Sequence, residues 1–166
     1  MTKLVELDLE FDFTDAINAI KFDDISTHGN SGMKRVDFVA EYADCYWFIE
    51  VKDPDAPTAT NPAAFVQKLR SDELIRSLAG KYRDSLLFRI LENKCSKHMH
   101  YLVVLAMKSL EPALLLSRQD ALHRELPLDH NNWVFPVARS CVILNLEQYK
   151  KHFGENSVRR LSESGN

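Results

Sequence analysis

Cysteine is scarce and scattered. Cys45, Cys95 and Cys141 make an odd total, and none sits in a Cys-x-x-Cys or Cys/His zinc spacing. That excludes a local zinc motif and a disulfide framework, and points to reduced thiols in a cytoplasmic protein. Glycine is also rare, at five in 166 residues. No P-loop, dinucleotide fingerprint or G-x-S-x-G elbow occurs, so the local signatures of those chemistries are missing. Long apolar runs are absent. LVVLAM (residues 102–107) falls far short of the ~20 residues that a membrane span requires. The opening MTKLVELDLEFDF has no continuous apolar core, so no secretory signal is expected there.

Strong net charge is lacking too: the total is −3, with 45% hydrophobic and 27% charged residues, an ordinary soluble globular composition. The distribution is less ordinary. Residues 1–65 carry 13 Asp/Glu against 5 Lys/Arg, whereas residues 66–100 carry 8 Lys/Arg against 4 Asp/Glu. The basic middle is suited to meet the acidic part or an external polyanion.

Periodicity supplies the elements. VELDLEFDF (5–13) alternates strictly and predicts one half-buried strand with a solvated acidic row. Thr14 is placed to cap a short helix, with Asp15 in its first turn and Ile17 and Ile20 inward. Residues 23–33 are rich in turn formers and read as loop, with a short strand over 22–26 as the alternative. Two strands follow, 34–42 and 45–52, joined at Ala43–Asp44 by the tight turn of an antiparallel hairpin. Pro54, Pro57 and Pro62 make 53–62 a loop. A helical period then runs from Ala64 to Glu92. Ser71 with Asp72 and Glu73 marks a new N-terminus within it, and Leu74, Ile75, Leu78, Tyr82, Leu86 and Ile90 form its apolar face. Arg76 and Arg83 flank that face, with Arg70 and Lys81 on another side. Arg76, Lys81 and Arg83 are candidate phosphate contacts.

Residues 100–107 and 139–146 read as buried strands, Pro112–Leu122 and 147–153 as helices. Residues 1–153 are expected to form one domain and 154–166 a polar, flexible tail, in which Arg159, Arg160 and Ser162 resemble a kinase-type site. Strands alternating with helices predict a three-layer α/β fold around a central mixed sheet flanked by helices.

CYWFIEVKD (45–53) ends in charges that a buried strand seldom carries. Residues two apart share a face, so Glu50 and Lys52 point the same way and Asp53 points the other. A turn centred on Ala43–Asp44 makes Val39 face Phe48 and Asp37 face Glu50. Two carboxylates opposed across a strand pair repel one another. Protonation, Lys52 or a divalent cation must compensate, and hard oxygen ligands suit Mg²⁺ or Mn²⁺.

Val36–Asp37 followed by Glu50-Val51-Lys52 resembles the PD-(D/E)XK nuclease superfamily, with its restriction-endonuclease-like fold. Val36 stands where that pattern has proline. The resemblance implies metal-dependent hydrolysis of nucleic acid, DNA above all. Asp37 and Glu50 would be metal ligands, with the Val51 carbonyl as a further one, and Lys52 would be the catalytic lysine. It also implies an acid from an early element, for which Asp15 is nearest, and a polar residue from the next helix, with Gln67, Lys81 or Tyr82 as candidates. The Pro-rich loop and the basic helix would line the substrate groove. Cutting both strands would favour a homodimer. The alternatives are a strand end tied ionically to neighbours such as Arg35, or a non-catalytic nucleic-acid-binding or protein-interaction module on the same fold. His98 and His100 share a face but have no third ligand spaced nearby, and His130 lies in a polar loop with no nucleophile.

Overall fold

The structure, a computed structural model, describes residues 2–28 and 32–163. Its centre is a mixed five-stranded sheet of β3 (Asn18–Lys21), β4 (Phe38–Glu41), β5 (Cys45–Lys52), β6 (His98–Leu105) and β7 (Ser140–Leu144), in that order. The β3–β4–β5 pairings are antiparallel and the β5–β6–β7 pairings parallel.

Alternation within the strands builds two cores. Tyr46, Phe48, Tyr101, Val103 and Ile143 face α2 (Pro62–Arg70), α3 (Asp72–Leu91) and α4 (Pro112–Glu125). Ile49, Val51, Leu102 and Val104 face the opposite layer. That layer combines α5 (Leu146–Phe153) with a small antiparallel sheet of β1 (Lys3–Glu6), β2 (Leu9–Asp12) and β8 (Val158–Arg160). The α/β class and the central mixed sheet agree with the sequence expectation, but helices dominate only one face. Phe11 joins the layers, its ring 5.4 Å from both Phe38 and Tyr149.

Several expected elements are corrected. Residues 5–13 form a hairpin, not one strand. Glu6 pairs with Leu9, and Leu7 turns the chain at φ 54°. A period of two is the same before and after a two-residue turn, so alternation could not reveal the fold-back. No helix follows Thr14. Asp12 accepts from its N–H and hydroxyl, and Asn18–Lys21 instead pairs with β4. Ile17 is therefore exposed. The alternative strand over 22–26 is also absent, and a helical turn, α1 (Ile25–His28), stands there. Residues 29–31 of the expected loop lie outside the described residues.

The first half of 34–42 leaves the sheet because α3 claims its backbone. Lys34 N–H donates to Asp84 and Val36 N–H to the Ser85 hydroxyl. Ile90 is partly exposed and drops off the apolar face of α3, while Ser71 does separate α2 from α3. The expected tail is corrected as well: Val158–Arg160 pairs with β2, and Val158 and Arg160 are buried. Among the described residues, no helix is long and apolar enough to cross a membrane.

Candidate metal centre

The hairpin register is the expected one: Phe38 pairs with Ile49, Val39 with Phe48 and Ala40 with Trp47. Asp37 stands one residue before β4. Its Oδ2 accepts from the Val51 N–H at 2.6 Å, so Val51 meets the cluster through its amide. Glu50 shares the Phe48 face and points toward α3, where it is completely buried. Its Oε1 bonds to Lys52 Nζ and lies 2.7 Å from Lys81 Nζ. The same Lys81 ammonium lies 3.4 Å from Asp37 Oδ1. Glu50 Oε2 is buried and has no hydrogen-bond partner.

Burial, then the nearby Asp37 charge, pushes the Glu50 carboxyl above its ordinary range. Burial alone would lower the Lys81 ammonium, but Glu50 and Asp37 together outweigh it and hold it above the usual lysine value. Of the three polar candidates Gln67, Lys81 and Tyr82, Lys81 is the one that pairs with both acids. Gln67 is exposed on α2, and Tyr82 is buried with its hydroxyl on the Val137 carbonyl.

Two further carboxylates arrive from parts of the chain that gave no signal. Glu6, at the end of β1, and Asp23, just after β3, each bring an oxygen within 4.8 Å of one another and of Asp37. Lys21 Nζ lies 2.9 Å from Glu6. Asp23 is pushed up first by burial and then by Asp37 and Glu6, and its Oδ1 has no hydrogen-bond partner. Asp15, the early acid expected from sequence, is exposed and lines a different cleft with Asp12 and Gly154. No pattern in the sequence marks Glu6 or Asp23. Glu6 belongs to an acidic row, and only the fold-back at Leu7 separates it from its neighbours.

Asp53 points away from the cluster, as parity requires, and pairs with Arg160. Arg35 lies over the Phe88 ring and is not the tie that holds Glu50. Arg76 and Arg83 are not brought to Lys81: Arg76 bonds to the Asp72 carbonyl, and Arg83 reaches Glu125 on α4. His100 bonds to Ser140 and stacks on Trp47, while His98 meets Arg139. The cysteines are free, and burial pushes the Cys141 thiol up to about 12.

Beside Lys52 opens a cleft of about 350 Å³. Leu7 of the β1–β2 turn, Pro54 and Thr60 of the Pro-rich loop, and Asn61, Phe65 and Lys68 around the start of α2 line it. Asp37 is therefore shared between two groups, the Glu6–Asp23–Asp37 carboxylates and the Lys81-bridged Asp37–Glu50 pair, and Lys52 links the second to the cleft. Asp23 Oδ1 and Glu50 Oε2 are both buried without a hydrogen-bond partner. No family model, curated protein or solved structure matches this chain.

Proposed function

We propose that the chain is a divalent-metal-dependent phosphodiesterase acting on nucleic acid, DNA above all, on a restriction-endonuclease-like arrangement. The observation that carries this is the unpartnered, buried Glu50 Oε2 beside Asp37 and two lysines. A buried carboxylate oxygen with no donor costs free energy unless a cation satisfies it. The donor set is all hard oxygen, which suits Mg²⁺ or Mn²⁺. Asp37 and Glu50 would hold the ion, with Glu6, Asp23 and the Val51 carbonyl as further ligands. The order of elements supports the same reading: Asp37 precedes β4, Glu50 and Lys52 end β5, and α3 leads back to the parallel β6.

When bound, the metal supplies Lewis-acid stabilisation of the negative charge that builds on the phosphate oxygens. The other steps belong to the chain. The Val51 N–H fixes Asp37, and Lys81 holds Asp37 and Glu50 at a set separation. Lys52 is partly exposed toward the cleft and orients the attacking water. Water oxygen bonds to phosphorus and gives up a proton to solvent, the bond to the leaving oxygen breaks, and that oxygen takes up a proton from solvent. A homodimer would present two such sites to the two strands. The free cysteines agree with a reducing, cytoplasmic setting.

The test is cleavage of plasmid DNA and of RNA with Mg²⁺ or Mn²⁺, against chelator. Asp37→Asn, Glu50→Gln and Lys52→Ala should each lower the rate by at least about 100-fold with circular dichroism unchanged. Equal cleavage by the parent and all three variants would refute the assignment. A non-catalytic nucleic-acid-binding role is the alternative, favoured by Lys81, whose bonds to both acids balance charge without an ion. Salt-sensitive binding without cleavage would identify it.

A further inference from the structure

The connection from α4 to β7, residues 126–139, runs without helix or strand. Irregular connections of more than about 12 residues in compact domains usually carry function. This one borders a cleft of about 790 Å³ at the amino-terminal ends of β5 and β6. Small-ligand sites span about 300–1,000 Å³. The eight residues of β5 separate this cleft from Lys52, roughly 25 Å at strand rise.

Its lining mixes apolar surface with cations. Met99, Leu128 and Phe135 supply the first, and Lys97, His98 and Arg139 the second. Lys97 is spent, its ammonium 2.6 Å from Glu41 Oε1 and 2.7 Å from the Tyr42 carbonyl. Arg139 differs. Its backbone is pinned by an N–H bond to the Met99 carbonyl, and Nη1 lies 2.9 Å from His98 Nε2. Among the described residues no carboxylate forms an ion pair with it. The same connection holds Trp133, Val134 and Phe135 in water at 43%, 97% and 53% exposure. Phe135 lines the cleft with Arg139, and an exposed ring beside a guanidinium without an ion pair suits a partner that brings a planar ring and an anion together.

We propose that this cleft binds one unpaired nucleotide of a single-stranded nucleic acid. The base lies against Phe135, and the phosphodiester sits at Arg139 and His98. A base inside a duplex has no free face to stack on a side chain, which selects single strand. Asp44 and Asp129 also line the cleft. Inside the cleft they disfavour a group of several negative charges, such as a triphosphate, and suit the single charge of one phosphodiester, with the rest of the strand lying outside. The site stands apart from the acid cluster and does not require that the cluster cut.

The test uses the full chain carrying Asp37→Asn, so that any cleavage is removed, and a fluorescent oligothymidylate of about eight nucleotides. The expected result is salt-sensitive binding by anisotropy that Arg139→Glu and Phe135→Ala each weaken at least about tenfold, that Lys108→Glu leaves unchanged, and that ATP does not displace. Phe135 is half exposed, so its truncation leaves the core intact and gives a readout if Arg139→Glu fails to fold. Binding that survives both substitutions, or no binding by the Asp37→Asn parent, overturns the proposal. The second outcome would leave the exposed loop as a protein contact. Failure of the cleavage assay alone affects only the acid cluster.

Discussion

Arg160 holds Asp53 with both ends of its guanidinium, Nη1 and Nη2 each 2.8 Å from a carboxylate oxygen, across 107 positions of sequence. Nη2 also donates to the Ala106 carbonyl and Nη1 to Asp8. One side chain of β8 thus joins the end of the Lys52 strand, the end of β6 and the β1–β2 turn. Asp53 is fully buried, so removing its partner leaves an uncompensated charge. Arg160→Gln is expected to cost about 3–5 kcal/mol in urea unfolding. Adding Asp53→Asn should recover part of that loss. Equal stability of the parent and Arg160→Gln would show the pair to be idle.

Glu50 gives a pH dependence of definite sign. Its carboxyl titrates above the ordinary value of 4.5 in the folded chain. Between that value and the raised one, the folded chain keeps a proton that the unfolded chain has released. Stability therefore falls as pH rises through that interval and levels off above it. Glu50→Gln lacks this fall, so its stability relative to the parent should improve with pH when no divalent ion is present. A pH-independent difference would mean that Glu50 titrates normally. Asp8 acts in a separate window. The Ser162 hydroxyl holds it below the ordinary 3.8, so its contribution is lost as pH falls.

Lys81 competes with any cation for Asp37 and Glu50. Replacing it by methionine keeps the aliphatic stem and removes the ammonium. Mn²⁺ affinity, measured by calorimetry, should rise roughly tenfold, while metal-free stability drops. Protons released on Mn²⁺ binding should increase at a pH below the raised Glu50 value. Unchanged or weaker metal affinity in Lys81→Met would place the ion elsewhere.

Gln119 covers the free edge of β7. Its Nε2 donates to the Cys141 carbonyl at 2.7 Å, and its Oε1 accepts from the Ile143 N–H at 2.5 Å, as a neighbouring strand would. Gln119→Ala uncovers that edge. The expected cost is about 1–2 kcal/mol, with self-association that grows with concentration in analytical ultracentrifugation. A monodisperse variant of parental stability would show the edge to be protected otherwise.

Local rules carried far within contiguous segments. Cys45–Lys52 has the limits expected from its β-branched and aromatic run, and the two-residue turn fixed the register that sets Glu50 beside Asp37. Ser71 capped α3 where its hydroxyl and the following acids predicted. Parity removed Asp53 from the cluster and kept Lys52. Each of these rests on forces that act over a few residues: pleat, turn closure and helix capping.

What reached the site from a distance had no local mark. Glu6 and Asp23 meet Asp37 only because the chain folds back at Leu7 and β3 pairs with β4. Gln67, Lys81 and Tyr82 were equal candidates until the packing of α3 set Lys81 over the acids and Tyr82 into the core. The residues after Gly154 read as solvated tail because Arg159 and Arg160 are charged. Arg160 is buried only because Asp53 and Asp8 satisfy it there. A sequence fixes which groups can pair. Which of them do pair depends on where the cores bring the backbone, and that is settled by packing across the whole chain.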